Sequence, residues 1–198
     1  DALSSISLAV KSGSQSSIAA DGATTTILRA IAKDANNNVI SGASVTVSIP
    51  TNGGTIGTNP VSTNASGIAD FILTSSTTVG SFSFTASSSS VTSNSTSVSF
   101  TAGSPSALAL VVKSGSQSSL TANGSSSTIL QATLTDSLGH GLNNQTLTLS
   151  IPSNGGTANQ TSGVSDASGV VEFTVTSSTV AGIYGFTVSG ASLTSSSL

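Results

Sequence analysis

Apolar and polar residues alternate along this chain in short runs. Ile6, Leu8 and Val10 form the first run, Leu28, Ala30 and Ala32 the second, and Val45, Val47 and Ile49 the third. Ala69, Phe71 and Leu73 follow, then Phe82, Phe84 and Ala86, and finally Val98 with Phe100. Successive side chains on a strand point to opposite faces, so each run predicts a strand with one buried face. Clusters of Gly, Asn, Asp, Ser and Pro separate the runs and supply turn chemistry. Valine, isoleucine and threonine favour strands, and no apolar stripe has helical spacing.

The pattern then starts again. Leu108, Leu110 and Val112 repeat the first run, and Leu130, Ala132 and Leu134 the second. Leu147, Leu149 and Ile151 follow, then Val171, Phe173 and Val175, and then Tyr184, Phe186 and Val188. Shifted by 102 positions, the chain aligns on itself without a gap, with 41 identical residues. KSGSQSS occurs at 11–17 and again at 113–119, and SIPTNGGT at 48–55 faces SIPSNGGT at 150–157. A period of about 100 residues is a whole domain rather than a solenoid repeat. Short half-buried strands at this density predict an all-β chain of two tandem immunoglobulin-like β-sandwiches. The expected domains are 1–103 and 104–198, joined near Gly103-Ser104-Pro105 as a semi-rigid rod. KSGSQSS reads as the connector after the first strand, leading to the turns at Asp21-Gly22 and Asn123-Gly124.

These residues resemble a known family, the group 1 bacterial immunoglobulin-like domains found in tandem in intimin- and invasin-type surface adhesins. The resemblance runs from Asp21-Gly22 through ILRAIAKDANNNVISGASVTVSIP (27–50) to VSTNASGIADFILTSSTTVGSFSFTA (61–86). The second unit matches through SDASGVVEFTVTSSTVAG (165–182). The family's Asp-x-Asn-Gly-Asn loop is replaced by DANNN at 34–38 and DSLGH at 136–140. The resemblance implies an extracellular cell-surface fibre or stalk. It implies no receptor-binding residue for this chain.

Composition narrows the function. Only 6% of the residues are charged, the net charge is -3, and serine with threonine fills about 37% of the chain. Lys11, Arg29, Lys33 and Lys113 are scattered, which gives no field for nucleic acid. No apolar run reaches the ~18 residues of a membrane helix, so no direct membrane insertion is expected. There is no cysteine, and hence no disulfide or thiolate metal site. There is no methionine, so residue 1 reads as something other than a translation start.

Candidate chemistry is sparse. His140 is the sole histidine, and the first unit has none, so a serine triad lacks its base. Asp70 and Glu172 occupy equivalent outward positions, but no second carboxylate is brought beside either. DANNN opens like a calcium loop, yet Val39 stands where glycine is needed and Val45 where glutamate is needed. Lys11, Lys33 and Lys113 are the candidates for an isopeptide link, and alternation points Lys11 and Lys113 away from the core. Asn-x-Ser/Thr sequons at Asn64, Asn94, Asn123, Asn144 and Asn159 are what a Ser/Thr-rich chain produces by chance. No catalytic residue, cofactor or metal is expected, and the chain reads as non-enzymatic. A sugar-binding module would need exposed aromatics. The chain has one tyrosine and no tryptophan, and its six phenylalanines fall on inward phases.

The second unit stops early. SVSFTAG (97–103) closes the first unit, whereas Leu198 aligns with Thr96. The strand of Tyr184, Phe186 and Val188 is therefore expected to flank an apolar acceptor groove with an unpaired edge. Two explanations stand side by side. A boundary within a longer array would leave the strand to adjacent repeats. Alternatively, a neighbouring copy would donate a strand and build a head-to-tail filament, with Ile6, Leu8 and Val10 as the donor. The expected partners are accordingly adjacent Ig-like repeats or copies of the chain itself, with receptor or glycan unknown.

Overall fold

The computed structural model describes residues 2–198 and contains strands without helices. The chain forms two compact units, the first ending at Thr101 and the second spanning Ala102–Leu198.

The first unit has ten strands: β1 (Ser5–Val10), β2 (Ser17–Ala19), β3 (Thr25–Lys33), β4 (Ser44–Ser48), β5 (Thr55–Ile56), β6 (Val61–Ser62), β7 (Ile68–Thr74), β8 (Gly80–Ser88), β9 (Val91–Thr92) and β10 (Thr96–Thr101). One sheet runs β1-β3-β7-β5 and the other β2-β10-β8-β4-β6, with β9 paired to β8. The register follows the apolar alternation. Leu8 faces Ala30, and Leu28 faces Phe71, so each sheet turns one row of apolar side chains inward. Phe71, Phe84, Phe100, Leu28 and Leu73 fill the space between the sheets and are essentially inaccessible.

The second unit has eight strands: β11 (Ala107–Val112), β12 (Ser127–Thr135), β13 (Thr146–Ser150), β14 (Thr157–Ala158), β15 (Ser162–Val164), β16 (Val170–Thr176), β17 (Thr187–Gly190) and β18 (Leu193–Thr194). The order β11-β12-β16-β14 repeats the first sheet of unit one, and the second sheet runs β15-β13-β17-β18. Leu134, Leu147, Phe173 and Val188 form the centre of its core.

The shared motif residues have local reasons. In unit one, Asn64 Oδ1 accepts the amides of Ser66 and Ile68, and Gly67 closes the turn with φ 69°. Asp166 repeats the arrangement on Ser168 and Val170, and Gly169 has φ 77°. A Cβ on Gly169 would lie 2.2 Å from the Leu134 carbonyl oxygen, so the position excludes a side chain as well as requiring left-handed backbone. The DANNN segment is a hairpin turn. Asp34 accepts the amides of Asn36 and Asn38 and the side-chain amide of Asn38.

Three expectations change. Ile49 was expected to face inward but is 38% exposed, because β4 ends at Ser48 and Pro50 cannot extend the ladder. Phe82 is only partly buried and lies at the edge of the core. KSGSQSS is more than a connector in unit one, because its last serine begins β2, which pairs in parallel with β10.

Candidate functional site

The two units differ most where unit one is closed by β10. There, β10 lies between two partners, antiparallel to β8 and parallel to β2. Val98 and Phe100 point inward and are buried, and the Phe100 ring sits 4.8 Å from the Phe82 ring. Ile18 of β2 and Phe84 of β8 are sealed beneath this strand, at 3% and 0% exposure.

Unit two holds no counterpart of β10 among the described residues, and both neighbours change accordingly. The counterpart of β2 is not a strand. β8 has nine residues, whereas its counterpart β17 has four. A strand exists by virtue of its ladder, and among the described residues neither flank has that shared partner. The result is an open groove of ≈ 550 Å³. Leu120, Ala122, Tyr184 and Phe186 line it, and all four are partly exposed. Their counterparts Ile18, Ala20 and Phe84 are buried, and Phe82 is capped by Phe100. The ladder that would border the groove is already begun, since Phe186 and Leu198 exchange both backbone hydrogen bonds, at 3.1 and 2.9 Å. Tyr184 donates its hydroxyl to the Val180 carbonyl at 3.0 Å, which leaves its ring along the groove wall.

The predicted site residues divide. Tyr184 and Phe186 line the groove together, whereas Val188 is wholly buried in the core opposite Leu149 of β13. Ile6 and Leu8 are buried in unit one, and β1 is paired along its length with β3, Val10 opposite Leu28. A donor role would require β1 to leave its own sheet. Leu120 and Ala122 were not singled out from sequence. Their equivalence to Ile18 and Ala20 was readable, but Ile18 and Ala20 belong to no alternating run.

The charged groups lie elsewhere. Asp70 receives two hydrogen bonds from Arg29, at 2.7 and 2.8 Å, and Lys11 Nζ lies 3.0 Å away. The Arg29 guanidinium holds the Asp70 carboxyl down at about 2, against desolvation that pushes the other way. Lys113 pairs with Glu172 at 2.8 Å. Both lysines thus stand on the outer face in ion pairs. Asp136 is buried and accepts the amides of Gly103, Leu138 and His140, and His140 Nδ1 lies 2.9 Å from it. Burial raises the Asp136 carboxyl, but these hydrogen bonds outweigh it and hold the group well below its ordinary range. Several sequon asparagines do structural work. Asn94 binds both backbone groups of Leu8, and Asn123 caps the amides of Ser125 and Ser126. No group of three or more metal-ligating side chains occurs among the described residues.

The family described as "Invasin, domain 3" matches residues 3–103, and "Bacterial Ig-like domain (group 1)" matches residues 111–197. The chain belongs to the invasin-type bacterial Ig-like family. Its two units thus fall under two family descriptions, although their first sheets share one strand order. Among solved structures, Yersinia pseudotuberculosis InvD superposes with a TM-score of 0.66 at 20% identity. That match covers 96% of this chain and 53% of the InvD chain. The Escherichia coli adhesin FdeC gives 0.57 at 23% identity, over 96% of this chain and 60% of the other. At these identities the likeness carries the sandwich fold. No curated protein matches the chain.

Proposed function

We propose that the chain is a structural segment of an extracellular microbial surface fibre, two immunoglobulin-like repeats of an adhesin stalk, with no catalytic role. The observation that carries this reading is the repetition of one sandwich plan at a spacing of 102 residues, in a family of surface adhesin domains. The inner faces hold the buried apolar core, and the outer faces carry mostly hydroxyls with a few ion pairs and isolated apolar side chains such as Ile72 and Val111.

The mechanism is mechanical. Tension enters unit one through β1 and β2 and leaves through β10. Because β2 and β10 run parallel, pulling the ends apart loads their hydrogen bonds in shear, all at once. The bonds are Ser99 N to Ser16 O at 2.9 Å and Ala20 N to Thr101 O at 2.8 Å, together with those inside the three-residue register. An antiparallel terminal pair would open one bond at a time. Electron microscopy of the native material, with the intact mass of its subunit, tests the reading. Thin rods formed by a parent chain of many such repeats are expected. Long regular filaments assembled from 19.1 kDa subunits would replace the stalk by a self-assembling fibre.

A further inference from the structure

The sequence holds three Asn-Gly pairs, Asn52-Gly53, Asn123-Gly124 and Asn154-Gly155. Such a pair can lose ammonia without an enzyme, because glycine has no side chain to keep its backbone nitrogen from the preceding carboxamide. The nitrogen must give up its proton, and the carboxamide oxygen must take on charge. The fold treats the three pairs differently on both counts.

At Asn52 and Asn154 the nucleophile is shut away. Gly53 and Gly155 are buried, and their amides donate to the Pro50 and Pro152 carbonyls, each at 2.9 Å. Asn52 and Asn154 are themselves fixed in left-handed backbone, with φ 60° and 62°. At Asn123 the reverse holds. Gly124 is exposed, and its amide has no acceptor among the described residues. Asn123 Oδ1 accepts the amides of Ser125 and Ser126, at 2.9 and 2.8 Å, and the hydroxyl of Ser177 at 3.3 Å. These bonds curl the carboxamide back over the Gly124 peptide, and they face the oxygen on which charge develops.

We infer that Asn123 is a self-modification site, the one Asn-Gly pair that the folded chain converts to aspartate. Gly124 N gives its proton to solvent base and bonds to Asn123 Cγ. The Cγ–Nδ2 bond breaks, and Nδ2 takes a proton from water and leaves as ammonia. A water molecule then adds to Cγ of the five-membered imide and breaks the new Cγ–N bond. The Gly124 amide is restored, and a carboxylate is left at position 123. The inference does not depend on the stalk reading, since it concerns a single turn.

The product has a template inside the same molecule. The counterpart of Asn123 in unit one is Asp21, and the glycines that follow share one backbone, Gly22 with φ 71° and Gly124 with φ 72°. Asp21 Oδ1 accepts the amides of Ala23 and Thr24, at 2.8 and 2.6 Å, and the Ser75 hydroxyl at 3.1 Å. These are the same three donors, 102 positions earlier. The Thr24 hydroxyl adds a bond to Oδ2 at 2.6 Å. With that hydroxyl foremost, the donors hold the Asp21 carboxyl well below its ordinary range. A carboxylate made at position 123 therefore meets donors already arranged for one. Once ionised it is a poor electrophile, so the change runs one way. Opening of the imide at its other carbonyl would give isoaspartate, whose extra backbone carbon does not fit this turn.

The test ages the whole chain in mildly alkaline buffer, folded and also unfolded in urea, and follows each Asn-Gly pair by peptide mass mapping. In the folded chain Asn123 is expected to convert about tenfold or more faster than Asn52 and Asn154. In urea the three should convert at similar rates. Ser177→Ala removes the hydroxyl donor and should slow Asn123 by about two- to tenfold. Asn123→Asp should raise the melting midpoint of unit two at neutral pH, and the gain should vanish as the pH falls through the carboxylate range. Equal rates at the three pairs in the folded chain, or the same ratio of rates folded and unfolded, would overturn the inference. Isoaspartate as the main product in the folded chain, or a lower midpoint for Asn123→Asp, would overturn the assigned product.

Discussion

Phe100→Ala is the sharpest perturbation of unit one. Phe100 is 1% exposed, its ring centroid lies 4.8 Å from that of Phe82, and it belongs to the same core as Phe84 and Ile18. Truncation removes the transfer free energy of a buried aromatic side chain and leaves a cavity that β10, tied to β8 and β2, cannot close. Phe→Ala changes at such sites cost about 3–5 kcal/mol, with the aromatic pair contributing about 1 of that. With a urea dependence of about 2 kcal/mol per molar, the midpoint of unit one falls by roughly 2 M. Circular dichroism follows both units, whereas Tyr184 emission follows unit two alone, so the two transitions can be assigned. The expected result is a shift confined to unit one. A loss below about 1 kcal/mol would mean that Phe100 does not close the sandwich.

Other expectations follow from single contacts. The Asp70 carboxyl, held at about 2 in the folded chain, stabilises unit one above its unfolded value of 3.8, and this contribution disappears as the pH falls from about 4 to about 2. Because the pair is partly solvated, the effect is on the order of 1 kcal/mol, and Asp70→Asn should flatten the pH dependence of the urea midpoint in that window. Asn59→Ala removes two hydrogen bonds to Val47, at 2.9 and 2.8 Å, and should cost unit one about 1–3 kcal/mol in chemical denaturation. Gly169→Ala places a Cβ against the Leu134 carbonyl in left-handed backbone, and calorimetry should show unit two losing about 2 kcal/mol or more.

Much of this architecture was legible as alternation. Leu28, Ala30, Phe71, Leu73, Leu130 and Phe173 fall on inward phases in sequence and are buried in the fold. The reason is that a strand with one buried face writes its period directly into the chain. Asp70, Lys11, Lys113 and Glu172 read as outward, and they pair there. Short elements were not legible. β2 has three residues, too few for a period, and it exists because β10 lies beside it. Ile18 and Leu120 therefore carried no local signal, although Ile18 is buried in the core of unit one and Leu120 lines the groove of unit two. Ile49 and Val188 show the other limit. Alternation gives the face of a residue but not where a strand ends or which inward residue borders an opening.

The central claim is that these units are mechanical elements, the first closed by the parallel β2–β10 pair. Single-molecule stretching of the 198-residue chain tests it most directly. Two unfolding steps of nearly equal length are predicted, each of roughly 30–35 nm for about 100 residues at ~3.5 Å apiece. One step should need distinctly higher force, and Phe100→Ala should lower that step alone. Two steps at the same low force, both indifferent to Phe100→Ala, would contradict the account.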